Sequence, residues 1–198
     1  MVLKLATFAC IAVCFTLPVA LLAGRYLRTR GPEWFRIHMI FNSITTVLIV
    51  LVFGLGMGAV STQGLGTSFE GSNSDFHHKL GLGIFTIFLF QVVLGVIAHN
   101  FQPGHLIRKI HIPLGIITAA GLYWQTWEGM HNEWTEMSVI MTSTPTSVQV
   151  LFWVLFLGSV SAYTLAVGQT VLGLLADSAV TYSNVGDKNS IDEKSREC

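Results

Sequence analysis

Histidines at the start of apolar stretches are the side chains of this sequence best suited to chemistry. Two of them begin a common unit, in which one glycine follows the histidine by four residues and another follows it by eighteen. The two copies are His77, Gly81 and Gly95, then His111, Gly115 and Gly129. Neutral imidazole is a common metal ligand, and ionisable residues within apolar stretches are costly to keep there. The unit therefore marks its histidines as candidate metal ligands.

A third histidine, His38, shares half of this unit, with Gly56 eighteen residues later but Asn42 at the nearer glycine position. Eighteen residues make five helical turns and about 27 Å, close to the ~30 Å of a bilayer's hydrocarbon core. Each histidine and its distant glycine thus share one helix face and lie near opposite membrane surfaces. Because successive spans alternate in direction, each histidine should lie at the depth of its neighbour's distant glycine.

A histidine that holds a flat, bulky group inside a helix bundle needs a neighbour without a side chain, and haem is such a group. His38 and His111 begin helices that run in the same direction, so they should lie at one depth. We expect them to be the axial ligands of one b-type haem, with Gly95 giving it room and Gly115 admitting the porphyrin edge. The competing interpretation is that the glycines only allow close helix packing and the histidines lie in the headgroup region.

The elements that must position these residues are membrane helices. Hydrophobic residues make up 52% of the chain and charged residues only 11%, with a mean hydropathy of +0.60. The apolar stretches predict an all-α, polytopic membrane helix bundle with about five spans, at residues 3–24, 35–60, 77–99, 110–129 and 147–174. This membrane domain covers residues 1–176, and the polar composition of residues 177–198 predicts a disordered cytoplasmic tail. The apolar spans make membrane lipid the expected partner, and the zero net charge gives no argument for a nucleic-acid partner.

Basic residues predict which helix ends face the cytoplasm, because cytoplasmic loops keep an excess of lysine and arginine. The first loop carries three arginines, and the third carries Arg108 and Lys109. The amino terminus is therefore predicted to be extracytoplasmic and the carboxyl terminus cytoplasmic. An alternative is that residues 1–24 form a cleaved signal peptide, since a lysine precedes an apolar run that ends in small residues.

Several short motifs follow one another at spacings that resemble a known family. They are Pro18 with Arg25-Tyr26-Leu27, Trp34-Phe35-Arg36-Ile37-His38, Gly54-Leu55-Gly56-Met57-Gly58, His77 to Gly81, Gln91 to Gly95 with His99, and His111 to Gly115. Over about residues 5–130 the chain resembles the cytochrome b561 family, specifically the fungal form often fused behind a DOMON domain.

This resemblance implies a four-helix core that binds two b-type haems, one near each face, and passes electrons across the membrane of a eukaryotic, fungal cell. It implies donors such as ascorbate or a separate redox protein, and acceptors such as monodehydroascorbate or ferric complexes. It leaves open whether the chain is an ascorbate- or ferric-reductase-like oxidoreductase. Arg36, like Arg108 and Lys109, lies near the predicted inner haem, where it would neutralise propionates or attract an anionic donor; these residues equally set the topology.

One departure from the family pattern concerns the outer haem. The family supplies an outer ligand from its first core helix, at a position that falls at about Leu5, whereas no histidine precedes His38 here. His77 would then lack its partner unless His131 or His78 replaces it. Three accounts stay open: a one-haem relative, an outer haem held by one ligand or by His131, and missing upstream sequence.

The sequence thus predicts a b-type haem membrane cytochrome that transfers electrons and holds one haem through His38 and His111, with a second haem at His77 as the variant. The alternative is a degenerate relative with a structural or accessory role and no electron path. A small-molecule carrier fits less well, because the spans lack the acidic or broken-helix sites of transporters. A homodimer is compatible with either function.

Overall fold

A computed structural model of the chain describes residues 2–27, 31–62, 69, 76–101, 106–133 and 144–196. Every secondary-structure element within these ranges is helical, and none of them is a strand. The prediction of an all-α fold is therefore confirmed for the described residues.

Six α-helices and two π-helical turns follow one another along the described chain. The first rod is continuous and consists of α1 (Val2–Ile11), a π-helical turn (Ala12–Thr16) and α2 (Leu17–Tyr26). The later helices are α3 (Glu33–Thr62), α4 (Phe76–His99), α5 (Leu106–Glu128), which continues into a second π-helical turn (Gly129–Glu133), and α6 (Thr146–Arg196).

Within the described ranges, four helices are long and apolar enough to cross a membrane, which is compatible with a multi-pass membrane protein. They are Thr7–Tyr26, Glu33–Ser61, Phe76–His99 and Thr146–Gln169. The remaining predicted span, at residues 110–129, corresponds to α5. Its 23 residues reach about 35 Å, enough to cross a bilayer, but its basic start and its amide and acidic side chains make it less apolar.

The π-helical turn in the first rod precedes Pro18. Proline lacks an N–H, and its ring clashes with the carbonyl four residues earlier, so an α-helix bends or widens there. Here the N–H of Leu17 donates to the carbonyl of Ala12, and the hydroxyl of Thr16 donates to the same carbonyl at 3.0 Å. The widened turn keeps backbone groups bonded in a region where lipid offers no hydrogen bonds.

The first rod is the most enclosed of the four candidate spans. Its Val13 and Cys14 are almost fully buried and belong to a core to which α3, α4, α5 and α6 all contribute. The hydroxyl of Thr45 on α3 is fully buried and lies 2.7 Å from that of Thr16 in the first rod. The outward faces of the helices carry large exposed hydrophobic side chains, as expected where lipid is the solvent.

Contacts at both ends of the antiparallel pair α4 and α5 define the two ends of the bundle. At the Arg108 end, the Nε of Arg108 donates to the backbone at the end of α4, and the rings of Phe35 and His99 stack at 4.2 Å. The starts of α3 and α5 and the end of α4 therefore meet there. At the opposite, Glu128 end, the carboxylate of Glu128 bonds to His77 at the start of α4.

The last helix, α6, continues to Arg196 and so includes residues 177–196 of the polar carboxyl-terminal segment. The last two residues of the chain lie outside the described ranges. Extending an existing helix costs far less free energy than nucleating a new one, so a long apolar helix favours helical continuation into polar sequence.

Candidate functional site

Two histidines of the repeated unit lie against the distant glycines of the neighbouring antiparallel helix, as their spacing predicts. A Cβ placed at Gly95 would lie 2.9 Å from Cε1 of His111, and one at Gly129 would lie 3.1 Å from Cε1 of His77. Both distances are shorter than an ordinary carbon contact, so any side chain at these positions would push the imidazole away. The predicted match in depth between histidine and glycine is therefore confirmed for both copies of the unit.

The third histidine, His38, has a similar neighbour that the sequence interpretation missed. A Cβ at Gly24 would lie 3.0 Å from Nδ1 of His38. Gly24 is the distant glycine of a unit whose histidine position, eighteen residues earlier, is occupied by Ala6. A search for the distant glycine alone, without its histidine, would have found it.

The tautomer of His38 is fixed by the backbone of the first rod. Nδ1 of His38 lies 2.8 Å from the carbonyl oxygen of Ala20. A carbonyl only accepts hydrogen bonds, so Nδ1 carries the proton and donates it, and Nε2 keeps its lone pair. This is the arrangement in which histidine ligates metals, with the second ring nitrogen donating to a carbonyl or carboxylate.

The structure also shows that the repeated unit includes a glutamine fourteen residues after each histidine, namely Gln91 and Gln125. The Nε2 of Gln91 donates to the backbone carbonyl of His111 at 2.7 Å, and that of Gln125 donates to the backbone carbonyl of His77 at 2.9 Å. The two bonds are equivalent and opposite, so α4 and α5 are related by an approximate twofold axis between them. The sequence interpretation cited Gln91 only within a motif and gave Gln125 no role.

These amides occupy the space beside the nearer glycines of the unit. A Cβ at Gly115 would lie 2.8 Å from Nε2 of Gln91, and a Cβ at Gly81 would lie 2.8 Å from Nε2 of Gln125. The neighbour of Gly115 is thus the Gln91 side chain, whereas the sequence interpretation gave that space to a porphyrin edge. Both nearer glycines let the glutamine of the adjacent helix reach the histidine backbone.

The approximate symmetry does not extend to the partners of Nδ1 in the two histidines. Nδ1 of His111 lies 2.8 Å from Nε2 of Gln91, whereas Nδ1 of His77 pairs with the carboxylate of Glu128. The position equivalent to Glu128 in α4 is Leu94, which has no polar group to offer. The two ends of the helix pair therefore give their histidines different electrostatic surroundings.

The structure brings His38 and His111 to the same end of the bundle, the Arg108 end, and places His77 at the other. Each of the first two is partly buried near the start of its helix. His77 lies about 27 Å along α4 from the glycine that faces His111, since eighteen residues separate His77 from Gly95. A single group could therefore contact both His38 and His111, or it could contact His77, but it could not contact all three.

The basic residues of the Arg108 end differ in how they are bonded. Arg36 is exposed in the first turns of α3, and Lys109 is exposed in the first turn of α5. Arg108 instead donates to the carbonyls of Ala98 at 3.0 Å and His99 at 3.5 Å, so it closes the end of α4. Arg36 and Lys109 are thus exposed cations of this end, Arg25 is partly buried, and Arg28 and Arg30 lie outside the described residues.

The remaining histidines have local contacts. Nδ1 of His131 donates to the carbonyl of Trp127 at 2.8 Å, and their rings lie 4.7 Å apart. His78 packs edge-on against His77, with ring centroids 5.8 Å apart. His99 is exposed and stacked, as expected for an interfacial residue, and His105 lies outside the described residues.

The Arg108 end offers two imidazoles on different helices, the number of protein ligands that a b-type haem takes. No cluster of three or more His, Cys, Asp or Glu side chains that could hold a bare metal ion occurs among the described residues. A haem needs only two protein ligands, because the porphyrin supplies four nitrogens to the iron. His38 and His111 offer these two from different helices, and both adjoin a glycine where a larger side chain would displace the ring.

Comparisons with protein-family models, with characterised proteins and with solved structures find no match for this chain.

Proposed function

We propose that this chain is a b-type haem cytochrome of the membrane, in which His38 and His111 hold one haem that carries electrons. The observation that carries the proposal is that these two imidazoles lie at the same end of the bundle, each against a glycine of a neighbouring helix. The proton on Nδ1 of His38 supports it, because that tautomer leaves Nε2 ready for iron. The motifs that contain these two histidines also resemble those of the cytochrome b561 family.

The haem supplies one-electron redox chemistry when bound. The chain's own residues hold it and set its surroundings. His38 is fixed by the Ala20 carbonyl, and His111 is held through its backbone by Gln91. Apolar side chains of the bundle limit the access of water, which strengthens electrostatic interactions within the site.

The exposed cations of the Arg108 end indicate the kind of electron donor that would approach. Arg36 lies two residues from His38, and Lys109 lies two residues from His111. An anionic small molecule such as ascorbate would be attracted to this surface, and so would an acidic patch on a separate redox protein. Both routes deliver electrons to the same end of the bundle.

A second candidate is a structural or accessory membrane protein with no electron path. Two observations favour it: no histidine precedes His38 to complete a site beside His77, and the glutamine bonds would join α4 to α5 without any cofactor. In this case the glycines serve only close helix packing. Haem binding distinguishes the two candidates.

The test of the proposed function is electron transfer by the purified protein in lipid vesicles. Ascorbate should reduce the bound haem, seen as a b-type spectrum, and a ferric chelate should reoxidise it. His38→Ala should lose the signal, whereas His99→Ala, at an exposed stacked histidine of the same end, should keep it. A protein that binds haem but exchanges no electrons with either reagent would contradict the redox function.

A further inference from the structure

Gln91 combines a double contact to His111 with a buried atom that lacks a partner. Its Nε2 lies 2.7 Å from the backbone carbonyl of His111 and 2.8 Å from Nδ1 of the same residue. Its Oε1 is buried and has no hydrogen-bond partner among the described residues. A buried amide oxygen without a hydrogen-bond partner is destabilising and calls for an explanation.

The contact to Nδ1 sets the tautomer of His111. The amide nitrogen of glutamine only donates, so Nδ1 must accept and the proton of the neutral ring lies on Nε2. Iron ligation requires the opposite arrangement, in which Nε2 has its lone pair and Nδ1–H donates to an acceptor. His38 already has that arrangement through the Ala20 carbonyl, whereas His111 does not.

We infer that Gln91 is the positioning residue for His111, and that its partnerless Oε1 is the acceptor for Nδ1–H of His111 when the ring ligates iron. A rotation of the terminal amide that leaves Nε2 on the His111 carbonyl and turns Oε1 to Nδ1 makes this bond. The ring proton moves from Nε2 to Nδ1, so the net protonation of His111 is unchanged. This inference rests on the proposed haem at His38 and His111.

The other end of the helix pair shows why this role belongs to Gln91 alone. Gln125 makes the equivalent bond to the backbone of His77 and has an equally buried Oε1. There, however, the carboxylate of Glu128 already accepts from Nδ1 of His77. Gln125 is therefore a matched control, with the same helix-joining bond and no ring nitrogen to serve.

The test compares Gln91→Leu, Gln91→Glu and Gln125→Leu in the full-length protein. An acceptor at Nδ1–H makes the imidazole a stronger donor to iron and stabilises the ferric state. Gln91→Leu should therefore raise the midpoint potential and weaken haem retention by roughly tenfold to a hundredfold. Gln91→Glu, with a carboxylate acceptor, should lower the potential below that of the wild type. Gln125→Leu should leave both the potential and the retention at their wild-type values.

The electron paramagnetic resonance spectrum of the oxidised haem adds a readout that does not depend on activity. Its g-values should shift in Gln91→Leu, because the His111 ring loses its fixed orientation, and stay unchanged in Gln125→Leu. If the wild type binds haem through His38 and His111 but Gln91→Leu matches Gln125→Leu, this inference is wrong and the proposed function stands. If the wild type binds no haem, both are wrong.

Discussion

The three histidines of the candidate site differ in the group that contacts Nδ1 of the ring. A backbone carbonyl meets His38, an amide meets His111, and a carboxylate meets His77. These partners fix tautomer and basicity, which are the properties that make an imidazole a ligand or a proton acceptor. Sequence spacing identified the three histidines, but their partners depend on side-chain contacts between helices that spacing does not give.

Replacing Gly95 with alanine should displace the imidazole of His111. The added Cβ would lie 2.9 Å from Cε1 of the ring, so the imidazole or the helix must shift. Overpacking of this kind costs about 1–3 kcal/mol, partly offset by the ~1 kcal/mol by which alanine favours a helix over glycine. We expect a free energy of unfolding that is lower by up to about 2 kcal/mol, and a lower haem content.

The matched control is Gly83→Ala on the same helix, where no described atom lies within 4 Å of the added Cβ. It should leave haem content unchanged and raise stability slightly, as measured by unfolding in mixed micelles with increasing denaturing detergent. Equal effects of the two substitutions would show that Gly95 is not needed as space for His111.

At the scale of elements, the repeated unit predicted the packing of α4 on α5 but not its polar bonds. The same spacing from histidine to distant glycine occurs on α4 and α5, which are antiparallel. Each histidine therefore meets the distant glycine of the other helix, and the contacts of His77 and His111 followed from sequence. Gln91 and Gln125 were overlooked because a lone amide in an apolar stretch gives no sign of its partner. Gly24 was overlooked because the histidine of its unit is absent.

Thr45 should contribute modestly to the stability of the contact between α3 and the first rod. Its hydroxyl is fully buried and lies 2.8 Å from the Phe41 carbonyl and 2.7 Å from the Thr16 hydroxyl. Each hydroxyl has a single proton, so one of the two threonines donates to the other in the interhelical bond. Thr45→Val keeps the shape and removes both contacts, while Thr16 keeps its bond to the carbonyl of Ala12. Interhelical bonds of this kind average about 0.6 kcal/mol in membrane proteins, so the loss should be about 0.5–1.5 kcal/mol.

Thr86→Val is the control, because the exposed Thr86 hydroxyl bonds only within its own helix, to the carbonyl of Leu82 at 2.8 Å. Unfolding in mixed micelles should show little change for this variant. A loss of stability for Thr45→Val no greater than that for Thr86→Val would mean that the buried hydroxyl pair does not join the two helices.

At the scale of the whole molecule, the helical class and four spans were predictable because apolar stretches of about 20 residues have few other solutions. The fifth span, α5, is harder to recognise from composition because polar side chains of the candidate site lie in it. This helix nevertheless contacts α4 at both ends, through His111 and Gly95 at one end and through Gly129 and His77 at the other. An element that pairs with a membrane span over its full length should cross the same thickness.

This pairing predicts that α5 crosses the membrane, with its start cytoplasmic as the basic residues indicate. Single cysteines report the two ends when introduced at Leu106, the first residue of α5, and at Asn132, in the π-helical turn after it. Both positions are exposed. In a background without the native cysteines, a membrane-impermeant thiol reagent should label Asn132→Cys in sealed vesicles that expose the extracytoplasmic face. It should label Leu106→Cys only after permeabilisation. Labelling of both positions from one side would show that α5 does not cross.

The central claim is that one haem lies between His38 and His111, and haem content per chain tests it most directly. The wild-type protein, purified in detergent, should contain one haem with a b-type reduced-minus-oxidised spectrum. His38→Ala and His111→Ala should each lose it, and His77→Ala should keep it. Wild-type protein without haem, or haem that survives His38→Ala and His111→Ala, would contradict the account.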